Sequence, residues 1–515
     1  MIQIRSFASV SFCSLAVCAL VTSTPIVARA QAPDSSVGTP PAAGTPLAPS
    51  DTPAPALPPA PDAPPPALLP MATLEPPAPS PPPEPLAGVS DGSMFLRSPD
   101  NGFVLFPSGR VQVDGYAFSS KNKVPNDGFV LKRARLELSG WIGGWAFFTI
   151  QGDFAAGPPA GAAPVAPSNL ASTDDFVALT PFGTRAMLQV GQFDAPFTLE
   201  NRTSDKYFDF IERSITVRAF AIPSNKEQGA MLHGYNDNRN FLYSVGVFNG
   251  DGQNFRNADQ KFDVMGRAWV APLSLMGDGP LHDVEIGGSF WTGDRANTLA
   301  PANQSTMGGF TFLSFAPSNL TVNNVANTPV QFRQVGRLKA FAGELNAPIN
   351  HKYGVRAELV WKKSPLSEES IAANGTGTVL GGANLTGYSS YGELWFWALG
   401  DDRIIGDQQG LGGYPRFKKF GVKPVQDGLM FAARLEYLNE DVEEEADAAA
   451  LTLGNTAVGK TKVTSLQLCA NYWHSKRFRA TFNYGFNHFT GTAPQNTNLA
   501  SKNVHEFLMR LAVAL

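Results

Sequence analysis

Between Gly128 and Ile142, Arg133, Arg135, Glu137 and Ser139 recur at every second position, with Ala134, Leu136 and Leu138 between them. Period-two alternation puts each set on one face of a β-strand. Two guanidinium groups therefore share a face with one carboxylate. Arginine offers a planar fork of donors suited to carboxylate or phosphate oxygens, and lysine a point charge. The spacing Arg-x-Glu recurs at Arg135/Glu137, Arg356/Glu358 and Arg434/Glu436. Such pairs read first as ion pairs bracing a wall. Arg133 has no Glu two residues downstream and is the better candidate for a free positive charge. A second basic group, Arg202, Lys206, Arg213, Arg218 and Lys226, is spread over residues 194–226. Cations at a constriction can replace an anion's water shell with N–H donors.

Other chemistry is poorly represented. The six histidines, His233, His282, His351, His474, His488 and His505, form no H-E-x-x-H motif, and no two share a ligand spacing. There is no G-x-S-x-G elbow and no phosphate-binding P-loop. Neither enzymatic activity nor a cofactor is expected. Of three cysteines, Cys13 and Cys18 lie in the N-terminal apolar stretch, and Cys469 reads as a small packed side chain. The formal net charge is −4, and from Ser90 onward 38 basic residues nearly balance 39 acidic ones. That balance argues against a nucleic-acid partner, and any electrostatic selectivity must come from local placement.

The elements that must position the basic residues are strands. Phe507, Met509, Leu511, Val513 and Leu515 alternate with Leu508, Arg510, Ala512 and Ala514. Phe478, Ala480, Phe482, Tyr484 and Phe486 alternate with Arg479, Thr481, Asn483, Gly485 and Asn487. Leu429, Phe431, Ala433, Leu435 and Tyr437 do the same around Arg434 and Glu436, and Tyr353 to Trp361 around Arg356 and Glu358. No stretch beyond the N-terminus reaches the roughly 18 apolar residues of a transmembrane helix, but a closed barrel can span a membrane with strands that alternate in this way. Sixteen strands are predicted, at 103–118, 128–141, 144–156, 173–181, 183–193, 227–236, 240–250, 262–272, 283–293, 335–347, 353–364, 387–399, 428–439, 462–474, 478–490 and 503–515. Short connections (Ile142-Gly143, 181–183, 236–240, 348–352, 475–477) fall on one side. Long ones (157–172, 194–226, 251–261, 294–334, 365–386, 440–461, 491–502) fall on the other, as in outer-membrane barrels. Residues 400–427 break the rule: they are long, lie on the short-turn side, and are expected to be ordered and to reach inward.

Residues 1–30 read as a signal peptide, with Arg5, an apolar stretch from Ser6 to Val27, and Ala28-Arg29-Ala30 before the cut. Residues 31–89 hold 21 of the 42 prolines and no aromatic residue. This segment is expected to be a disordered periplasmic linker of polyproline character. Residues 90–515 are then the transmembrane antiparallel barrel.

Several segments resemble the phosphate-selective porins of the O and P family: Gly128 to Phe154 (G-F-V-L-K-R-A-R-L-E-L-S-G-W-I-G-G-W-A-F-F-T-I-Q-G-D-F), S-G-R-V-Q-V-D-G-Y at 108–116, V-G-Q-F-D-A-P-F-T-L-E-N-R-T-S-D-K-Y at 190–207, F-I-E-R-S at 210–214, L-G-D-D-R at 399–403 and F-A-A-R-L-E-Y-L at 431–438. The resemblance implies a homotrimer of sixteen-stranded barrels in the outer-membrane lipid. Each would carry a constriction lined by basic residues that passes small inorganic anions, phosphate among them. The family's paired basic residues match Lys132 and Arg133. Its later basic positions match Arg202, Lys206 and Arg213, and Arg135 and Arg218 complete the candidate anion-binding set. Lys132 stands where the family commonly has Arg, and strict alternation puts it on the face opposite Arg133. Either the strand bulges there or Lys132 sits at the rim. A weakly selective general porin, or an envelope anchor using the proline arm, are the competing readings.

Overall fold

The computed structural model describes residues 85–90, 93–120, 125–155, 170–220, 222, 225–277, 279–296, 299–315, 318–322, 325–371, 378–404, 427–444, 459–492 and 501–514. The expected signal peptide, nearly all of the expected linker, and the interior of 400–427 lie outside them.

Sixteen strands form one closed antiparallel wall: β1 (Phe103–Ser119), β2 (Gly128–Ile142), β3 (Ala146–Asp153), β4 (Asp175–Leu179), β5 (Met187–Asp194), β6 (Lys226–Tyr235), β7 (Phe241–Phe248), β8 (Asp263–Val270), β9 (Glu285–Ala296), β10 (Val325–Ile349), β11 (Tyr353–Ser370), β12 (Val379–Leu399), β13 (Gly428–Glu444), β14 (Gly459–Ser475), β15 (Phe478–Gly491) and β16 (Asn503–Ala514). Each pairs with its neighbour in sequence, and β16 returns to β1, with Arg510 opposite Asp114 and Leu508 opposite Tyr116. Closure leaves no edge strand, so the wall presents no unpaired row of backbone donors and acceptors.

All sixteen predicted strands are present. Those of the second half run further toward the long loops than expected. β10 starts at Val325, β11 continues to Ser370, β12 starts at Val379, and β13 and β14 end and begin at Glu444 and Gly459. These extensions lie beyond the apolar band, where no lipid demands an apolar outer face, so hydropathy does not reveal them. Ahead of β1, Ala87–Ser90 and Ser93–Arg97 pair as a hairpin, and the latter continues onto β1 through Leu96 and Arg97.

The two faces sort as the alternation predicts. Phe431, Leu435, Phe482, Phe507, Leu511 and Leu359 point outward and are exposed, while Arg434, Glu436, Arg479, Arg510, Arg356 and Glu358 point inward and are buried. Short turns close one end. Asn350 and His351, between β10 and β11, both take positive φ (49° and 58°), the twist a two-residue hairpin turn needs.

The interior is filled. The segment between β5 and β6 folds inside the wall, carrying two short helices, Leu199–Arg202 and Ile215–Phe220. A second inserted segment, absent from the sequence reading, comes from the β9–β10 connection. Its small hairpin, Gln304–Ser305 with Thr311–Leu313, places Met307, Phe310, Phe312 and Phe315 inside. Both join one apolar cluster with Phe193, Phe248, Trp291, Phe332, Leu366 and Phe489. Much of the interior on the long-loop side is therefore apolar and packed, where a constriction lined by basic residues was expected.

Candidate functional site

The site begins at a bulge. Along β1 and β2, Gln112 lies opposite Arg133 and Val113 opposite Leu131, which leaves Lys132 as the extra residue. A bulge adds one residue and re-aims the side chains around it. Lys132 and Arg133 consequently reach the same carboxylate, Glu212, at 3.6 and 3.0 Å. That settles the conflict in the sequence between alternation and a paired basic motif.

Glu212 belongs to the segment 195–225, and its neighbours explain how that segment is held. Asp205 is bound by Arg110 of β1 (2.5 Å) and by Arg133 and Arg135 of β2 (2.8 and 3.1 Å). Glu212 is bound by Arg133 and by Arg510 of β16 (2.9 Å). Asp209 takes Arg356 of β11 (2.5 Å), and Glu200 takes Arg434 of β13 (2.9 Å). Backbone carbonyls add to this. Arg479 of β15 donates to Phe208 O and Arg510 to Ile211 O, both at 2.6 Å, and the amide of Asn471 donates to Asp209 O at 2.6 Å. Burial pushes the Asp205 and Glu212 carboxyls up. The guanidinium groups of Arg110, Arg133 and Arg135 around Asp205, and Arg133 with Lys132 and Arg510 around Glu212, outweigh that and hold both well below the usual carboxylate range.

The segment turns inward at Thr198, whose φ is 66°. A β-branched residue pays for that conformation in local strain, so surrounding contacts must enforce it. They do. Thr198 N–H donates to Ser289 Oγ (3.0 Å), and the next two backbone N–H groups, of Leu199 and Glu200, donate to the two oxygens of Glu358 (2.5 and 3.2 Å).

The basic residues of the segment itself behave differently from expectation. Arg202 donates to Asp194 O, at the end of β5. Arg213 donates to the carbonyls of Glu200, Asn201 and Thr203 at 3.1–3.3 Å and lies over the Phe208 ring at 4.6 Å. Arg218 donates to Arg213 O (2.8 Å) and to Ser305 O of the second inserted segment. These three therefore brace inserted backbone. Lys206 makes no ion pair among the described residues. Burial draws its ammonium below the ordinary lysine range, with Glu137 opposing and Arg110 reinforcing the shift.

Two expectations are corrected. Arg133 is not a free charge, since Asp205 and Glu212 both bind it, and neither carboxylate is near it in sequence. Of the three Arg-x-Glu spacings, only Arg434/Glu436 forms a direct pair (2.7 Å). Arg135 binds Asp153 (2.7 Å) and Asp205, and Arg356 binds Asp209 and Glu393 (2.9 Å). The charge logic is thus inverted. The wall supplies arginines and the inserted segment supplies carboxylates. Of the seven wall arginines that reach the segment (Arg110, Arg133, Arg135, Arg356, Arg434, Arg479 and Arg510), Arg479 alone has no carboxylate partner among the described residues. Its Nε and Nη2 are buried without a hydrogen bond, and the Trp473 ring lies 4.9 Å away. The signal that could have found Arg110, Arg479 and Arg510 is their inward phase in the alternation of β1, β15 and β16.

Cys469 is buried, its thiol donating to Asp209 O at 3.1 Å. No group of His, Cys, Asp and Glu among the described residues is arranged to hold a metal ion. The 400–427 connection is described only at its ends, where Lys352 donates to Gly400 O and Arg403 pairs with Asp401. Its expected inward reach, and Arg416, Lys418, Lys419 and Lys423, lie outside the described residues.

No curated protein matches the sequence. Solved structures with similar folds include OmpT of Vibrio cholerae (9% identity, 82% of this chain and 100% of that one, TM-score 0.45). Two others are the outer membrane channel DcaP of Acinetobacter baumannii (10%, 82% and 99%, 0.43) and an anion-selective porin from Comamonas acidovorans (11%, 80% and 100%, 0.42). Residues 108–514 match the family model described as phosphate-selective porin O and P, and the chain belongs to that family.

Proposed function

We propose that this outer-membrane porin passes small anions, phosphate among them, by passive diffusion, and that selection occurs where segment 195–225 meets the arginine wall. It works as a homotrimer, as the family resemblance implies. The observation that carries the reading is the convergence of seven wall arginines on one inserted segment, with the Arg479 head lacking a carboxylate and Lys206 of that segment lacking an ion pair among the described residues. A guanidinium with two unmet N–H faces in a site of low effective dielectric attracts an oxyanion more strongly than a solvated one would. Lys132, Arg133, Arg135, Arg202, Arg213 and Arg218 serve this function by positioning: they set where the segment lies and which cations it leaves uncompensated.

The close pairing of the other arginines favours a second reading, a weakly selective porin whose lumen charges cancel locally. Planar-bilayer measurements separate the two. Reversal potentials in a potassium chloride gradient should report anion preference, and added phosphate should reduce chloride current. Arg479→Ala should weaken that block and move the reversal potential toward cation permeation. A cation-selective wild type, or an Arg479→Ala channel with unchanged selectivity and block, would leave the general porin. Deleting 31–89 addresses the anchor reading: conductance should persist, and loss of envelope attachment would give the proline arm its own role.

A further inference from the structure

The outer face of the wall carries a charge arrangement that the transport function does not use. On β10 and β11, Lys339 lies directly opposite Lys363. Both are exposed on the outward face. Residues directly opposite on one face of an antiparallel pair have Cβ atoms about 5 Å apart, and like charges there repel. Among the described residues neither ammonium has an ion-pair or hydrogen-bond partner. The flanking cross-strand positions do not help: Thr292 lies opposite Lys339 on β9, and Thr386 opposite Lys363 on β12. The nearby acids are committed elsewhere, Asp294 to Arg337 at 3.0 Å and Asp441 to Lys460 at 3.3 Å. An isolated protein gains nothing from this pair.

Its height on the wall supplies a reason. One step down each strand, on the same face, Phe341 and Trp361 lie opposite each other and stack, with centroids 6.0 Å apart and planes 22° apart. Tyr388 is opposite Trp361 on the next strand and packs against Tyr437 at 5.9 Å. Down β11 the outward residues are Leu359, Ala357, Val355 and then Tyr353 at the short-turn end. From Trp361 to Tyr353 a tilted strand rises about 20 Å, close to the height of an apolar band bounded by aromatic girdles. Lys339 and Lys363 therefore stand just above the girdle on the long-loop side, at the level of outer-leaflet headgroups. Two ammonium groups, the Thr386 hydroxyl and an aromatic floor match a lipid phosphate whose acyl chains run down the wall; the Thr292 hydroxyl already donates to Leu338 O at 3.0 Å and borders the site.

We propose that Lys339 and Lys363, flanked by Thr292 and Thr386, form a binding site on the membrane-facing wall for the phosphate of an anionic outer-leaflet lipid. Bound phosphate turns a repulsive pair into two attractive contacts. This site is independent of the lumen and of anion selectivity.

Native mass spectrometry of the detergent-folded protein, titrated with bisphosphorylated lipid A, tests it. A lysine near an anionic lipid headgroup changes affinity by about fivefold. Lys339→Gln and Lys363→Gln should each weaken lipid A binding by about that factor and more strongly together, while single-channel conductance stays at the wild-type value. Lys363→Glu controls for folding: it replaces repulsion with a cross-strand ion pair, so it should raise the melting temperature in lipid-free detergent and abolish the stabilisation that lipid A gives the wild type. Inorganic phosphate alone should give no such stabilisation. If it stabilises the wild type as well as lipid A does, the site takes free anions and the lipid assignment is wrong. Unchanged lipid A affinity in the double variant would overturn the site altogether, as would an equal loss on changing Lys352 at the opposite rim.

Discussion

The two segments that fold into the barrel are held by different physics. Segment 195–225 shares the apolar cluster through Phe197, Ile215 and Phe220 and is in addition fixed by charge: Glu200, Asp205, Asp209 and Glu212 bind arginines that together come from five strands. Segment 299–315 is fixed by burial, through Phe310, Phe312 and Phe315, with two wall carboxylates contributing among the described residues. Glu440 accepts from the amide of Gln304 at 2.8 Å, and Glu506 accepts from the backbone N–H of Gly308 at 3.1 Å. Ion pairs are directional and specify position. Apolar contacts fill space and stabilise without prescribing which charge meets which. Under the function proposed above, the first segment would set the electrostatics met by a permeating ion, and the second would fill space beside it.

The strongest way to break this comparison is to neutralise the first segment's acids. Removing one partner of a buried pair typically costs about 3–5 kcal/mol, because the other charge stays buried without compensation. Asp205→Asn combined with Glu212→Gln strands Arg110 and Arg133 and leaves Arg510 with Asp114 alone. It should lower the heat-modification temperature sharply and shift the reversal potential further toward anions. A loss of stability with unchanged selectivity would show that the segment's charges do not face the permeant ion. Phe312→Ala comes next. Burial of this ring is nearly complete (1% exposed), so truncation should cost about 3–5 kcal/mol while the reversal potential stays fixed. A change in selectivity there would erase the division between the two segments. Arg434→Ala should mainly cost stability, since Arg434 sits between Glu436 and Glu200; bilayer recordings on the refolded variant would check that conductance survives.

The smallest expected effect is that of pH. Asp205 and Glu212 have depressed carboxyl pKa values in the folded chain, so their contribution is present above the ordinary carboxylate range near about 4 and is lost only as pH falls through the lower folded values. Melting temperature should therefore change little on account of this segment between pH 7 and pH 5 and fall in stronger acid. In Asp205→Asn/Glu212→Gln that acid-induced fall should shrink. A wild-type decline already complete at pH 5 would contradict the depressed values.

The wall was legible in the sequence because lipid imposes a rule on outward residues: Phe507, Met509, Leu511 and Val513 could be phased from their period-two alternation. The length and basic content of 194–226 singled that segment out in the sequence. Its partners were not legible. Arg133 meets Glu212 across 79 residues and Arg510 meets it across 298. Nothing local distinguishes those arginines from ones paired to the next glutamate along the strand, which is why Arg133 looked unpaired and Arg356/Glu358 looked like a pair. The second segment left a trace that went unread: Phe310, Phe312 and Phe315 fall within six residues of a long loop, more aromatic surface than a solvated loop carries. Lys132 was the reverse case. The conflict between its phase and the family motif was visible, and the bulge supplied the resolution.

Arg510 joins two events that a sequence treats separately. Its side chain binds Asp114 at 2.6 Å across the β1–β16 seam, and the same guanidinium holds Ile211 O and Glu212 of the inserted segment. The final strand thus cannot complete its zipper at full strength around an empty interior, nor can the insert be locked before that strand arrives. A wall closed without the insert would leave Arg510 with Asp114 alone and without Ile211 O and Glu212, so one side chain couples closure of the seam to occupancy of the interior.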